Sequence, residues 1–359
     1  MKEYVINKND SGQRLDKYIT KSFPLLPQSL MYKYIRSKRI KVNGKRSEIS
    51  YRLKENDVIS LYINDEFFEP TKPKYDFLGA GKNLNIVYED ENIILVDKPS
   101  GLLSHPDEGN YTDTAITRIK RYLYEKGEYD PDNETSFAPA LVNRIDRNTC
   151  GIIIGAKNAE SLRILNEKLK NRELHKLYLC VVIGKLKKES GLIEGYLEKN
   201  EKQNRVYVSD KSGDKTKHIS TKYKVLGYKG GLSLVEVELL TGRTHQIRAH
   251  FSYLGNPLLG DGKYGTNAQN KQFGGYKKQF LYSYKLAFDF QTDAGILEYL
   301  NHKEFEVRDV WFKKAFYDGT ILGKQFYYTP LAVLESSTTT TLWLRRGPPP
   351  FAKEVFNNV

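Results

Sequence analysis

Cysteine is nearly missing from this chain: Cys150 and Cys180 are the only two in 359 residues. Two thiols do not make the disulfide framework of a small secreted domain, and without C-x-x-C spacing they suit neither zinc nor dithiol redox work. Long apolar runs are missing as well, so no segment is expected to span a bilayer and no membrane partner is expected. The opening MKEYVINKNDSGQRLDKYI lacks the apolar centre of a secretory signal, and a soluble, reduced, cytoplasmic protein is expected. Histidine is scarce at six residues. His245 and His250 stand at i, i+5, which does not place them on one helical face, and there is no H-E-x-x-H. A metal hydrolase is therefore excluded and no metal site is expected. Nor does any Gly-rich loop offer a phosphate cradle.

Positive charge is what the chain does have. The formal net charge is +13, and hydrophobic residues make up 39%, enough for a sizeable core. Excess Lys and Arg favours polyanions, because each neutralised phosphate releases condensed counterions. Net charge alone would serve solubility equally well. Its distribution is more telling, since residues 1–64 hold fourteen Lys and Arg against six Asp and Glu. Charge gathered in so short a module reads as a docking surface for nucleic acid.

Within that module Leu15, Tyr18 and Ile19 recur at helical spacing beneath a charged face. Pro27-Gln28-Ser29 supplies a turn before a second helix through Met31-Tyr32-Lys33-Tyr34-Ile35-Arg36. Ile40-Lys41-Val42-Asn43-Gly44-Lys45 reads as strand, Asn-Gly turn and return strand, and 57–63 alternates as a closing strand. This arrangement, with its Arg14-Leu15-Asp16 opening, resembles the alpha-L (S4-like) RNA-binding domain across residues 13–63. The resemblance implies that Arg14, Lys33, Arg36, Lys38, Arg39 and Lys41 face RNA phosphates.

Residues 65–84 contain Pro70, Pro73, Gly79 and Gly81 and read as a linker after a first domain at 1–64. Helices are expected over 112–126 and 158–171. Strands are expected at 84–88, 93–97, 151–156, 174–183, 203–208, 218–228 and 232–239. Many short strands with few helices predict an α+β catalytic domain at 85–317 on a mixed, largely antiparallel sheet. From 318 to 359 the chain reads as a low-complexity tail, with Ser336-Ser337-Thr338-Thr339-Thr340-Thr341 and Gly347-Pro348-Pro349-Pro350. Trp343 and Leu344 are the residues of that tail suited to dock back on the core.

Three stretches carry candidate chemistry. In Asn143-Arg144-Ile145-Asp146-Arg147-Asn148-Thr149-Cys150-Gly151, a carboxylate lies between two arginines at the foot of an apolar strand. Nearby cations hold an Asp ionised, as a nucleophile or base requires, although a structural ion pair at a turn is the commoner origin of such a fragment. In Lys176-Leu177-Tyr178-Leu179-Cys180, alternation puts Lys176, Tyr178 and Cys180 on one face, where a Tyr is ordinarily core. In Thr241-Gly242-Arg243-Thr244-His245-Gln246-Ile247-Arg248, a Gly closes a strand and Thr244 is placed to cap a helix. Its N-terminus offers donors to an anion or carboxylate.

Together with Val96-Asp97-Lys98-Pro99-Ser100-Gly101, Ser104-His105-Pro106 and Gly255-Asn256-Pro257-Leu258-Leu259-Gly260-Asp261, these stretches resemble the A-type RNA pseudouridine synthases over roughly 85–313. The resemblance implies that Asp146 is the catalytic aspartate and that Arg144 enters the gap left by a flipped uridine. It further implies that Tyr178 packs on the target base as a general base and that Arg248 pairs with Asp146. Thr149, Gly242, Arg243, His245 and Gln246 are implied to shape the substrate site. Departures are Asn143 where the family has His, Ile145 for Leu and Cys150 for Ser.

The reaction so implied isomerises uridine by breaking the glycosidic bond, turning the base and rejoining it through carbon 5. It demands no cofactor. Large-subunit (23S) rRNA is the implied substrate, with tRNA as the alternative, and a monomer is expected. A non-catalytic ribosome assembly factor would need the basic module but not Asp146, Tyr178 and Arg248 together. A glycosidase-like hydrolase would need a second carboxylate opposite Asp146.

Overall fold

The expected helical stripe of Leu15, Tyr18 and Ile19 is buried on the helix Leu15–Ser22, packed against Met31 and Ile35 of a second helix, Gln28–Arg36. Pro27, at φ −59, precedes that second helix with a backbone already suited to its start. The computed structural model describes residues 1–69, 74–107 and 112–322. Asn43 and Gly44 take φ 51 and 72, the paired positive values of a tight hairpin turn, and join Ile40–Val42 to Lys45–Arg46. The closing strand, Val58–Leu61, lies between Ile40–Val42 and an unforeseen strand, Lys2–Val5, in a four-stranded antiparallel sheet.

The second sheet gathers eleven strands among the described residues. Its path runs Arg205–Ser209, Ser190–Asn200, Lys217–Lys229, Leu232–Leu239, Leu174–Ile183, Leu281–Phe288, Cys150–Ala156, Ile93–Lys98, Ile86–Glu89. All neighbours are antiparallel except Leu281–Phe288 beside Cys150–Ala156, which run parallel. The sheet is therefore mixed and largely antiparallel, in an α+β fold. Side chains alternate between two apolar layers. Tyr178, Cys180 and Val182 join Ile153 and the helix Ala115–Glu125 on one face, while Leu179 and Val181 pack on the other with Phe280 and Phe312. The helix Ala159–Lys170, capped by Asn158, places Leu165 against Ile152 and Ile154 on that second side.

Both edges of this domain reach further than the sequence reading placed them. In the stretch read as linker, Phe77 is fully buried, its ring 5.6 Å from Tyr124 and 5.7 Å from Tyr129. At the other end Ile321 is 1% exposed within the Phe280 and Phe312 layer, past the expected start of the tail at 318. Apolar burial outweighs the Gly and Pro punctuation in both places. Pro70, Pro73 and the tail from 323, with Trp343 and Leu344, lie outside the described residues.

Polar contacts tie the small domain to the large one. Asn9 donates to Glu134 at 2.6 Å and accepts from the Ala159 amide at 3.1 Å. Gln13 donates to Ser136 at 2.8 Å, and Arg163 to the Ser11 carbonyl at 3.1 Å.

Gly151 has to be a glycine. It is the second residue of the strand behind Asp146, at φ 112, and an added Cβ would lie 2.2 Å from the Ser283 carbonyl oxygen on the parallel neighbour. Gly151→Ala is expected to lose about 3–5 kcal/mol, the upper range for one substitution. Urea unfolding checks this, and an unchanged midpoint would mean that the two strands part at little cost.

Candidate active site

The loop 143–149 is fixed from below before any side chain reaches into the cavity. Lys98, fully buried, donates its ammonium to three backbone carbonyls: Pro99 at 2.9 Å, Leu102 at 2.7 Å and Arg147 at 3.0 Å. Burial draws its pKa down to about 8, and the charges of Cys150, Asp146 and Asp97 resist a further fall. Ser104 exchanges hydrogen bonds with Ile145, its hydroxyl donating at 2.9 Å. Gly101 and Arg147 bond reciprocally at 2.8 and 3.0 Å. The 98–104 stretch thus acts as a clamp, a role that no spacing rule revealed.

Asp146 sits at the loop's turn, where the Thr149 amide donates to its carbonyl at 3.0 Å. Its cationic neighbour is not the one adjacent in sequence. Arg147 turns away to Gly101, and Arg144 is exposed at the cavity. Arg248, from the helix Gln246–Tyr253, donates Nη1 to Asp146 Oδ2 at 2.9 Å. The same guanidinium grips Asp261 through Nε at 2.6 Å and Nη2 at 3.0 Å. Asp261 is buried. That burial would raise its pKa, but Arg248 outweighs the effect and holds the carboxyl below its ordinary value. Sequence reading had placed Asp261 in a matching motif without seeing its part in the site.

Thr244 does not cap the helix. The residue before Gln246–Tyr253 is His245, in the left-handed conformation at φ 55 and without a side-chain cap. The turn is closed instead by Gln246, which accepts from the Arg243 amide at 3.0 Å and from Thr241 at 2.9 Å. Its own amide donates to Ser220 and Thr221, so Gln246, expected to touch substrate, is committed to the protein and shapes the turn.

The left-handed backbone brings His245 Nε2 to 3.7 Å from Asp146 Oδ2. The Tyr264 hydroxyl accepts from the Val206 amide at 3.0 Å and lies 2.9 Å from His245 Nδ1. That contact fixes the orientation of the imidazole ring beside Asp146. Burial lowers the pKa of this histidine, against the pull of Asp146.

Tyr178 faces the same cavity from the strand Leu174–Ile183, 5% exposed. Burial pushes its phenol up to about 12, with the Asp146 charge adding to the rise and a Ser283 hydrogen bond opposing it. It is therefore a phenol at neutral pH. The cavity, about 350 Å³, is also lined by His105, Thr149, Lys176, Arg243 and Leu239. That volume suits a single base with its sugar. Asn143, standing where the resembled family has His, accepts the Ile154 amide at 2.8 Å and so serves the loop.

In the small domain Lys33, Arg36, Lys38 and Arg39 are exposed on and just after the second helix. Arg39 stacks 4.7 Å over Tyr34, and the Lys41 ammonium lies 5.1 Å over Tyr62. Arg14 is bound through both branches to Asp16 at 3.0 Å, which leaves it less free than its neighbours. Arg14, Arg36 and Arg46 line a common surface groove with Ser47 and Ser50.

Among the described residues no group of three His, Cys, Asp or Glu could hold a metal ion, and no helix is long and apolar enough to cross a membrane. The groups gathered around the cavity are a carboxylate held by Arg248, with His245 alongside, and a buried phenol. Removing one partner of a buried ion pair costs about 3–5 kcal/mol. Asp261→Asn is expected to lose that much at neutral pH, read by urea unfolding. Because the Asp261 pKa is depressed, the wild-type advantage is full above the ordinary carboxylate value and shrinks as pH falls toward the depressed one. Equal stability of the two proteins at pH 7 would remove Asp261 as the anchor of Arg248.

Residues 92–253 match the RNA pseudouridylate synthase family and residues 13–59 match the S4 domain. An uncharacterized RNA pseudouridine synthase of Mycoplasma genitalium is 34% identical over 291 residues, covering 80% of this chain and 88% of that protein. Ribosomal large subunit pseudouridine synthase D of Borreliella burgdorferi is 32% identical, covering 88% of this chain and 93% of the relative. Ribosomal large subunit pseudouridine synthase C of Rickettsia conorii is 36% identical, covering 76% and 88%. With its carboxylate site and its basic first domain, this chain belongs to the A-type RNA pseudouridine synthases, isomerases that here carry an N-terminal S4 RNA-binding domain.

Proposed function

We propose that the chain converts specific uridines of large-subunit rRNA to pseudouridine, with Asp146 as the reacting carboxylate. The observation that carries this reading is the Arg248 bridge, which holds Asp146 Oδ2 at 2.9 Å within a cavity also lined by Tyr178 and Arg144. The substrate class is supported by the relatives named for the large ribosomal subunit. The basic face at Lys33, Arg36, Lys38, Arg39 and Lys41 gives the RNA a second point of attachment.

The target base must leave its stack, at a cost of a few kcal/mol, so single-stranded or loop uridines are favoured. Arg144, exposed at the cavity, fills the gap and offsets part of that cost. Asp146 then attacks the sugar or takes a sugar proton while uracil departs. Arg248 keeps the carboxylate oriented through its 2.9 Å hydrogen bond, with the His245 ring alongside at 3.7 Å. The neutral phenol of Tyr178 packs on the base and offers its hydroxyl as a hydrogen-bond partner. Loss of the carbon-5 proton to this residue would require the phenolate, which is rare at neutral pH given a pKa of about 12.

Pseudouridine mapping in cells lacking the protein tests the whole reading. One or a few large-subunit positions should vanish and return with wild type but not with Asp146→Asn, which should bind RNA within about twofold of wild type. Sites confined to tRNA would overturn the substrate class, and rescue by Asp146→Asn would remove Asp146 from the chemistry.

For Tyr178 the expected single-turnover rate is flat from about pH 7 to 9. A tenfold rise per pH unit would instead put the phenolate in the slow step.

Replacing Lys33 and Arg36 with Ala should weaken binding to all RNAs alike. The salt slope should fall by about one per lost phosphate contact. An unchanged slope would place the RNA on another face.

A further inference from the structure

Lys176 precedes Tyr178 by two residues on the strand Leu174–Ile183, so the two side chains leave the same sheet face, and both line the cavity. The other buried charges around Asp146 are matched within the protein: Arg248 by Asp146 and Asp261, and Lys98 by three carbonyls. Lys176 is different. Among the described residues its ammonium has no hydrogen bond and no carboxylate partner, and burial alone pulls its pKa below the ordinary value. Its Nζ would lie 3.8 Å from a Cβ placed on Gly242, which sets it against the turn leading to His245.

A half-buried ammonium without a counter-charge is unfavourable in the free protein, and such groups concentrate where a ligand supplies the missing charge. Depth decides which part of an RNA that is. Arg144 and Arg243 are exposed where the cavity opens, the place for phosphates. Lys176 is less exposed than either and leaves the sheet on the same face as the phenol on which the base packs.

We propose that Lys176 is a catalytic residue that binds a uracil carbonyl oxygen and stabilises the negative charge formed on the base when the glycosidic bond breaks. This rests on the reading of Asp146 given above. The C1′–N1 bond breaks with its electron pair retained by uracil and spread over N1, O2 and O4. The C1′–C5 bond then forms, C5 loses its proton and N1 gains one, so atoms and charge balance. A preorganised cation at the carbonyl, in a site poor in water, lowers the barrier to the first step and leaves RNA affinity almost unchanged.

The test is single-turnover conversion at saturating RNA together with direct measurement of Kd, for wild type, Lys176→Met, Lys176→Arg and Asp146→Asn. Lys176→Met should lower the rate about 100- to 1,000-fold with Kd within about twofold, and Lys176→Arg should recover part of the loss. A target 5-fluorouridine carries the charge better by itself, so loss of the starting nucleoside should suffer at least about tenfold less from Lys176→Met. Lys176→Gln, which keeps the stem and a donor but no charge, covers the case in which the Met variant fails to fold. A raised Kd with an unchanged saturated rate would make Lys176 a phosphate ligand and overturn the proposal, as would an equal loss on both substrates. Full activity of Lys176→Met beside an inactive Asp146→Asn would sink the proposal alone, whereas an inactive wild type would sink the reading on which it rests.

Discussion

The Arg248 guanidinium is the joint on which the site hangs. Its planar fork takes both oxygens of buried Asp261 and turns its remaining branch to Asp146. Three separate stretches, the loop at 143–149, the helix Gln246–Tyr253 and the loop ending at Asp261, are thereby fixed to one another. Lysine could not do this, because a single ammonium lacks the flat, divergent donors that satisfy two carboxylates at once. Isolated, each of these charges would be too costly to bury. Together they form a network whose one partly accessible carboxylate is Asp146, 24% exposed at its side chain.

Rigidity below that network matters as much as charge within it. The fully buried ammonium of Lys98 binds three carbonyls, one of them from Arg147, next in the chain after Asp146. Such a staple fixes the backbone from which the Asp146 carboxylate projects, and Gly151 lets the following strand approach Ser283 without a side chain between them. Isomerisation of a nucleoside needs no group brought from outside. Its demands are position and electrostatics, which a preorganised carboxylate, a guanidinium and a neutral imidazole can meet.

The two domains divide the work on RNA. The small sheet and its two helices present exposed cations with little around them to select a base, so they contribute affinity and orientation. The cavity of the large domain has the volume of one nucleoside, and its own cations differ in kind: Arg144 and Arg243 are exposed, while Lys176 is half-buried. Hydrogen bonds from Asn9 and Gln13 to Glu134 and Ser136 set the distance between the two surfaces.

Much of this was legible from local pattern. Alternation located the strands Leu174–Ile183 and Leu232–Leu239 at their observed limits, because one-sided burial enforces a period of two. Asn43-Gly44 marked its hairpin because few residues accept positive φ, helical spacing marked the first helix, and the Pro27-Gln28-Ser29 turn marked the second. The motifs around Asp146, Tyr178 and Arg248 named the residues that the fold brings to one cavity. Other features left no local trace. The first strand, the buried Phe77, the core reaching Ile321 and the His245 backbone all depend on partners distant in sequence. By itself the sequence determined which residue types were available and which face of each element they occupied, since those follow from spacing of a few residues. Only the tertiary structure decided that Arg248 is anchored by Asp261 as well as paired with Asp146, that Gln246 faces inward, and that Lys176 is left without a counter-charge. Pairing of charges depends on through-space distance and desolvation, and neither is a property of neighbours along the chain.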